Sequence, residues 1–246
     1  NQLYDGFLGA MGGGDTTAAN NGVSSVVAIG YRAFGGATSS SAGIDGASSV
    51  AIGNSVMEDV TTAEHNVGVG NAAMKEITTG SSNIAIGSNA MQVHTTGARN
   101  IAIGKGAMDD TDHHADVAAS TDNIFVGYDA GGGTWETNDS NYNVGIGNYT
   151  MDAVMNDAVA NTSLGHESLS ALTTGDGNVM LGFRSGQALT TGQYNIGIGY
   201  NAVAQQGNGA GSLHNIGIGL DALTYLTSGD YNIAIGHNAG DAITTE

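Results

Sequence analysis

The chain has no cysteine, five lysines and arginines against 23 aspartates and glutamates, and an aromatic fraction of only 6%. Without cysteine there are no disulfides and no thiolate metal sites, and a long repetitive core needs no such staples. A net charge of −18 repels phosphate backbones and anionic membrane surfaces, so nucleic acid is not an expected partner. No apolar run approaches the roughly 20 residues that cross a bilayer, and no basic segment followed by an apolar stretch opens the chain. No membrane insertion is expected in this segment. Scarce aromatics with an apolar fraction of 40% imply a thin core filled by Ile, Val, Leu, Met and Ala.

Catalytic signatures are missing as well. There is no Gly-x-Ser-x-Gly, His-Glu-x-x-His, P-loop or calcium-binding glycine-rich nonapeptide. Pairs such as Gly197-Ile198-Gly199 lack a third glycine at nucleotide-binding spacing and recur as scaffold. The chain is read as a non-enzyme with no catalytic residues and no committed cofactor.

What the chain does contain is one unit written many times. Asn83-Ile84-Ala85-Ile86-Gly87, followed by Ala90-Met91 and Thr95-Thr96-Gly97, begins again at Asn100-Ile101-Ala102-Ile103-Gly104. Aligned on the closing glycine, twelve copies run from Gly30 to Gly236, separated by 17 residues in six of eleven gaps and by 18 to 23 in the others. Such a period predicts a solenoid, and a stack of coils is one elongated domain. Residues 1–24 lack the repeat and are read as an N-terminal cap or adaptor, with Leu3, Tyr4, Phe7 and Leu8 able to cover a strand edge. Residues 25–246 form the array. Because the chain opens at Asn1 without Met and stops about where another coil falls due, the array is expected to be cut from a longer protein.

Each coil has three parts. First, apolar residues three and one before the glycine alternate with a middle residue, which means a short strand. The β-branched pair is expected inside the coil and the middle residue outside. Ten of the twelve middle residues are Ala, Gly or Ser, which suggests another backbone close by. On that reading Ala85, Ala102, Gly145, Gly197, Gly217 and Ala234 line the axis of an assembly of like chains. Second, a small residue, Met or Leu, and an aliphatic residue follow the glycine by three, four and seven, as in Ala73, Met74 and Ile77. That spacing suits one helical turn, but a straight stack at about 4.8 Å per coil leaves room only for a tight turn or short bent segment. Third, Thr-Thr-Gly reverses the chain. Asn then opens the next strand in ten copies, Asn66, Asn83, Asn100, Asn123, Asn143, Asn161, Asn178, Asn195, Asn215 and Asn232, and stacked amides predict a hydrogen-bonded ladder along the turn.

These strings carry a resemblance. Ser49-Val50-Ala51-Ile52-Gly53 resembles the head repeat of trimeric autotransporter adhesins, whose hallmark reads roughly Ser-Val-Ala-Ile-Gly. The longer form with Ala-Met or Ala-Leu and Thr-Thr-Gly looks like repeats of phage tail fibres and large bacterial surface proteins. Together they cover about residues 25–246. The resemblance implies an all-β, left-handed parallel β-roll, three chains about one axis, and a role in attachment, and it carries over no catalytic residue. About three extra residues per coil set this chain apart from the adhesin heads.

Extra residues appear only between glycines, and insertions in a repeat array map to surface loops. Those after Gly104 and Gly127 belong to adjacent coils and are expected side by side. The first holds Asp109, Asp110, Asp112, His113, His114 and Asp116. Asp109, Asp112, His113, His114 and Asp116 are candidate ligands for a divalent cation, against the plainer reading of a solvated acidic loop. The second holds Trp135, Asp139 and Asn141. Trp135 either stands exposed as a surface for a sugar or protein, or folds down as a plug over the coil. Together Trp135, Asp139, Asn141, Asp109, Asp110, Asp112, His113 and His114 make the candidate recognition surface.

The expectation is therefore an extracellular structural attachment protein: a rigid homotrimeric segment of a phage tail fibre or similar appendage, joined to other fibre or tail components and displaying loops toward a host glycan or protein. A cellular adhesin head and a curved monomeric ligand-binding solenoid are the alternatives.

Overall fold

The computed structural model describes residues 9–11, 26–34, 48–111, 120–136, 138–204, 212–226 and 229–243. Their strands are β1 (Gly9–Met11), β2 (Val26–Ile29), β3 (Val50–Ile52), β4 (Val67–Val69), β5 (Ile84–Ile86), β6 (Ile101–Ile103), β7 (Ile124–Val126), β8 (Val144–Ile146), β9 (Thr162–Leu164), β10 (Val179–Leu181), β11 (Ile196–Ile198), β12 (Ile216–Ile218) and β13 (Ile233–Ile235). They form one sheet in chain order. From β2 to β13 every pairing is parallel and in the register of the repeat, so Ala85 lies beside Ala102 and Gly197 beside Gly217. The fold is an all-β parallel solenoid. At the N-terminal end β1 runs antiparallel to β2 and occupies the edge that the first coil would otherwise leave open. Leu3 to Leu8 lie outside the described residues.

No helix occurs among the described residues, and the backbone after each glycine shows why. Residues two and four beyond the glycine take left-handed φ, as in Ala72 (54°) and Met74 (49°) or Asn89 (61°) and Met91 (50°). Ala72 N–H donates to Asn54 O of the preceding coil at 2.8 Å, and Met74 N–H to Ala90 O of the following coil at 2.9 Å. Donors that a helix would use within the segment are thus spent along the stack. Interchain-style ladders on both sides of the turn repay the left-handed conformations, which cost an L-residue roughly 1–2 kcal/mol each.

The asparagine ladder is continuous from Asn66 to Asn232. Asn83 Oδ1 accepts the Asn100 backbone N–H at 2.9 Å and its side-chain amide at 3.2 Å, while Asn83 Nδ2 donates to Gly97 O at 2.8 Å. The same bonds recur at Asn143, whose Nδ2 reaches Ala158 O, and at Asn195, whose Nδ2 reaches Ser212 O. From Asn66 to Asn215 each of these side chains is fully buried. Ser49 starts the ladder, its hydroxyl accepting Asn66 N–H. A buried amide with every hydrogen bond made fixes register, because a slipped coil would strand donors and acceptors away from water.

The facing of the strands reverses the sequence expectation. The middle residues point inward: Ala51, Ala85, Ala102, Phe125, Ser163 and Met180 are fully buried, as are Gly145, Gly197 and Gly217. Ala85, Ala102, Gly145, Gly197, Gly217 and Ala234 therefore pack within one chain's own core and do not line an axis between chains. They are small because the coil is narrow, and the chain wall that crowds them is their own. A Cβ on Gly197 would stand 2.5 Å from Met180 Sδ, and one on Gly217 2.7 Å from a methyl of Val203. Opposite the strand, Met74, Met91, Met108, Met151, Leu169 and Leu223 fill the interior. It is the β-branched pair that faces outward.

Candidate recognition surface

The two adjacent insertions do meet. Trp135 N–H donates to Asp110 O at 3.0 Å, and Thr134 Oγ1 donates to Asp110 Oδ2 at 2.8 Å. Trp135, however, is fully buried. Its indole packs edge-on against Phe125 with ring centroids 6.0 Å apart, and Nε1–H donates to Gly131 O at 3.1 Å. Of the two readings the sequence left open, the plug is the one adopted, and Trp135 is not a recognition residue.

The cause is a missing side chain. Position four beyond the closing glycine carries Met108 and Met151 in the flanking coils, but here it is Gly131. Phe125 enters the vacated volume from the strand and Trp135 closes it from the loop. Glycine at the methionine position was the sequence signal for a buried tryptophan. For the same reason the insertion after Gly127 is not only a surface loop, and cutting it back to the seventeen-residue period would open the core.

The remaining candidates are partly scaffold. Asn141 is half-buried, its Oδ1 accepting Thr121 N–H at 2.6 Å. Asp139 is also half-buried, whereas Glu136 and Asn138 are exposed. Both are tied to the next coil, since Asn156 Oδ1 accepts from Asn138 at 2.9 Å and Asn156 Nδ2 donates to Glu136 Oε2 at 3.2 Å. Asp112, His113, His114 and Asp116 lie outside the described residues. Among the described residues no group of three or more His, Asp or Glu is placed to hold a metal ion.

The acidic residues here are not all ordinary. Burial raises the pKa of Asp109 to about 6, with Asp129 and Asp110 adding to the shift. Asp152 is raised to about 6 chiefly by burial, with Asp129 and Glu167 adding. Asp122 moves the other way, held low by its hydrogen bond from Arg99, where Nε donates at 2.6 Å. Burial of Asp109 and Asp152, with the neighbouring Asp129 adding to it, disfavours their charged forms at neutral pH.

Two aromatic files flank the strands. On one side Tyr128, Tyr149, His166, Phe183 and Tyr200 follow one another with centroids 5.2 to 5.7 Å apart, the last three nearly parallel. On the other, His214 is stacked between Tyr194 and Tyr231 at 5.2 and 4.9 Å. Tyr128, Phe183 and Tyr200 directly follow a closing glycine and Tyr194 and Tyr231 directly precede a ladder asparagine, so these are legible in the sequence, whereas Tyr149 stands two beyond Gly147. His166 and His214 occupy the same two positions and complete the files. From His166 to Tyr200 and from Tyr194 to Tyr231 the parallel rings cover one another's faces, whereas Tyr149 meets both its neighbours edge to face.

The chain matches no family model, no curated protein and no solved structure.

Proposed function

We propose that the chain is a rigid, non-catalytic segment of an extracellular attachment fibre, homotrimeric, belonging to a phage tail or similar appendage. The observation that carries this reading is the unbroken asparagine ladder, in which every coil from Asn66 to Asn232 is joined to its neighbour by the same bond, buried at every step but the last. A stack bonded identically at each step resists bending and slippage along its whole length, which is what a spacer or display rod needs. Among the described residues no helix lies on one flank of the stack to act as a wedge, and this argues against a curved monomer with a concave binding face.

Recognition, on this reading, belongs to the insertion after Gly127, where Glu136, Asn138 and Asp139 reach the surface, and its partner is a host glycan or protein. The rest of the surface repeats from coil to coil and distinguishes partners poorly. Electron micrographs of the isolated chain test the proposal. Twelve coils at about 4.8 Å predict straight or gently twisted rods whose array is about 55 Å long. Horseshoe-shaped particles would contradict it.

A further inference from the structure

The strands turn an apolar face to the outside. From Val27 to Ile235 there are twenty-four outward strand positions, and all but Thr162 carry Val, Ile or Leu. Ile86, Ile103, Ile146, Leu164 and Ile198 are 36 to 49% exposed. None of these positions is charged, in a chain whose net charge is −18. Within the C-terminal half the aromatic files extend the strip on both sides, with Tyr194 and Tyr231 53% and 73% exposed on one and Phe183 and Tyr200 on the other, and Tyr142 holds the place of Tyr194 in an earlier coil. Almost every large exposed hydrophobic residue of the described chain lies on this strip, Val154 and Tyr225 being the exceptions. An apolar surface of this extent marks an interaction site.

We propose that this strip, the outward β-branched rows with their aromatic flanks, is where copies of the chain pack on one another, parallel and in register about a common axis. The inference rests on the homotrimer reading above and moves its interface from the small middle residues to the large outward ones.

Three observations select a second copy as the occupant. The rows recur with the coil spacing, so a parallel copy at the same height sets each row against itself along the whole length, whereas an antiparallel copy would cross the unequal insertions. Charge is kept off the strip and concentrated elsewhere, so like chains of strong negative charge approach here without bringing carboxylates together. A strip about 55 Å long and about 15 Å wide offers on the order of 800 Å² per chain, the area that a stable protein interface uses on each side. The strip is also regular, because from β3 to β13 every strand is three residues long and paired at constant register.

The absence of native cysteine makes the test direct. Ile103→Cys and Ile198→Cys each place one thiol on the strip, five coils apart, at side chains already partly exposed. Val154→Cys places one on an exposed position outside it. The mass of the unmodified chain is measured first by light scattering, and each variant is then oxidised and run without reductant. The expected result is an assembled wild type, disulfide-linked pairs at both Ile103→Cys and Ile198→Cys, and none at Val154→Cys. Self-linking at two rows requires parallel, in-register packing, since an antiparallel pair meets itself at no more than one. In a trimer two chains link and the third stays single, so linked and unlinked chains appear at about two to one.

An assembled wild type in which neither strip variant links, or in which Val154→Cys links instead, overturns the interface and leaves the homotrimer standing. A monomeric wild type overturns both. If the unmodified chain is monomeric but binds lipid vesicles or a different protein through the strip, the occupant named here is wrong.

Discussion

The ring of Phe125 stands 2.9 Å from the point that a Cβ on Gly131 would occupy. Phe125 holds the strand's middle position, where most coils have a small residue, and Gly131 holds the turn position, where most have Met or Leu. Met180 and Gly186 repeat the trade, with Met180 Cγ 3.0 Å from the point for a Cβ on Gly186. One large residue per cross-section is all that the coil admits, and the two walls share the volume between them.

That sharing predicts coupling. Gly131→Met overpacks the coil and is expected to cost about 1–3 kcal/mol, and Phe125→Ala about 3–5 kcal/mol. The double variant restores the pattern of the ordinary coil, so its loss falls short of the sum by at least about 1 kcal/mol in a double-mutant cycle measured by urea denaturation. Strict additivity would mean that the two positions do not contend for one space.

Asn143 sits mid-ladder, its amide donating to Ala158 O at 2.7 Å and its Oδ1 accepting from Asn161 N–H at 3.0 Å. Asn143→Ala leaves buried partners on both neighbouring coils unpaired and is expected to cost about 3 kcal/mol. Asn232→Ala, at the less buried end, costs less. Denaturant midpoints of the two variants check the ordering, and equal losses would deny that burial along the ladder sets its strength.

Acidification is expected to stabilise the flank around Asp129. Asp109 and Asp152 have folded pKa values raised to about 6, above the ordinary carboxyl value near 3.9. A raised folded pKa means that the native chain holds these protons more tightly than the unfolded one. Their stabilising contribution is therefore complete below about pH 4 and is lost as pH rises through about 6. The melting temperature of the native chain relative to the Asp109→Asn, Asp152→Asn variant is expected to rise between pH 7.5 and pH 5. A difference that stays constant across that range would contradict it.

Trp135 is the chain's one tryptophan, which gives its burial a clean readout. Its fluorescence is expected to be blue-shifted and protected from aqueous quenchers, and Trp135→Ala is expected to lose about 3–5 kcal/mol. Glu136→Ala, on the exposed side of the same loop, changes stability by no more than about 0.5 kcal/mol. Red-shifted, freely quenched emission would return Trp135 to the surface.

The repeat made the solenoid legible, because Asn and Gly recur where backbone geometry and buried amides demand those residue types. What it left open was which way the strand faces. With three residues per strand, alternation separates the middle residue from the outer pair but does not say which set points inward, and the larger pair is the natural assignment to a core. Here the core is narrow and the turn supplies its methionines, so Ala85 and Ala102 go in and Ile86 and Ile103 go out. The recognition surface was read least well, since Trp135 in an insertion looks like a contact residue until Gly131 reveals the space beneath it.

Sedimentation equilibrium of the unmodified chain tests the central claim most directly. A homotrimeric rod predicts a solution mass three times the 24.5 kDa of the chain, unchanged across micromolar concentrations. A mass of one chain at those concentrations would contradict it, because a fibre segment that stands alone with its outward isoleucine rows in water is not the assembly described.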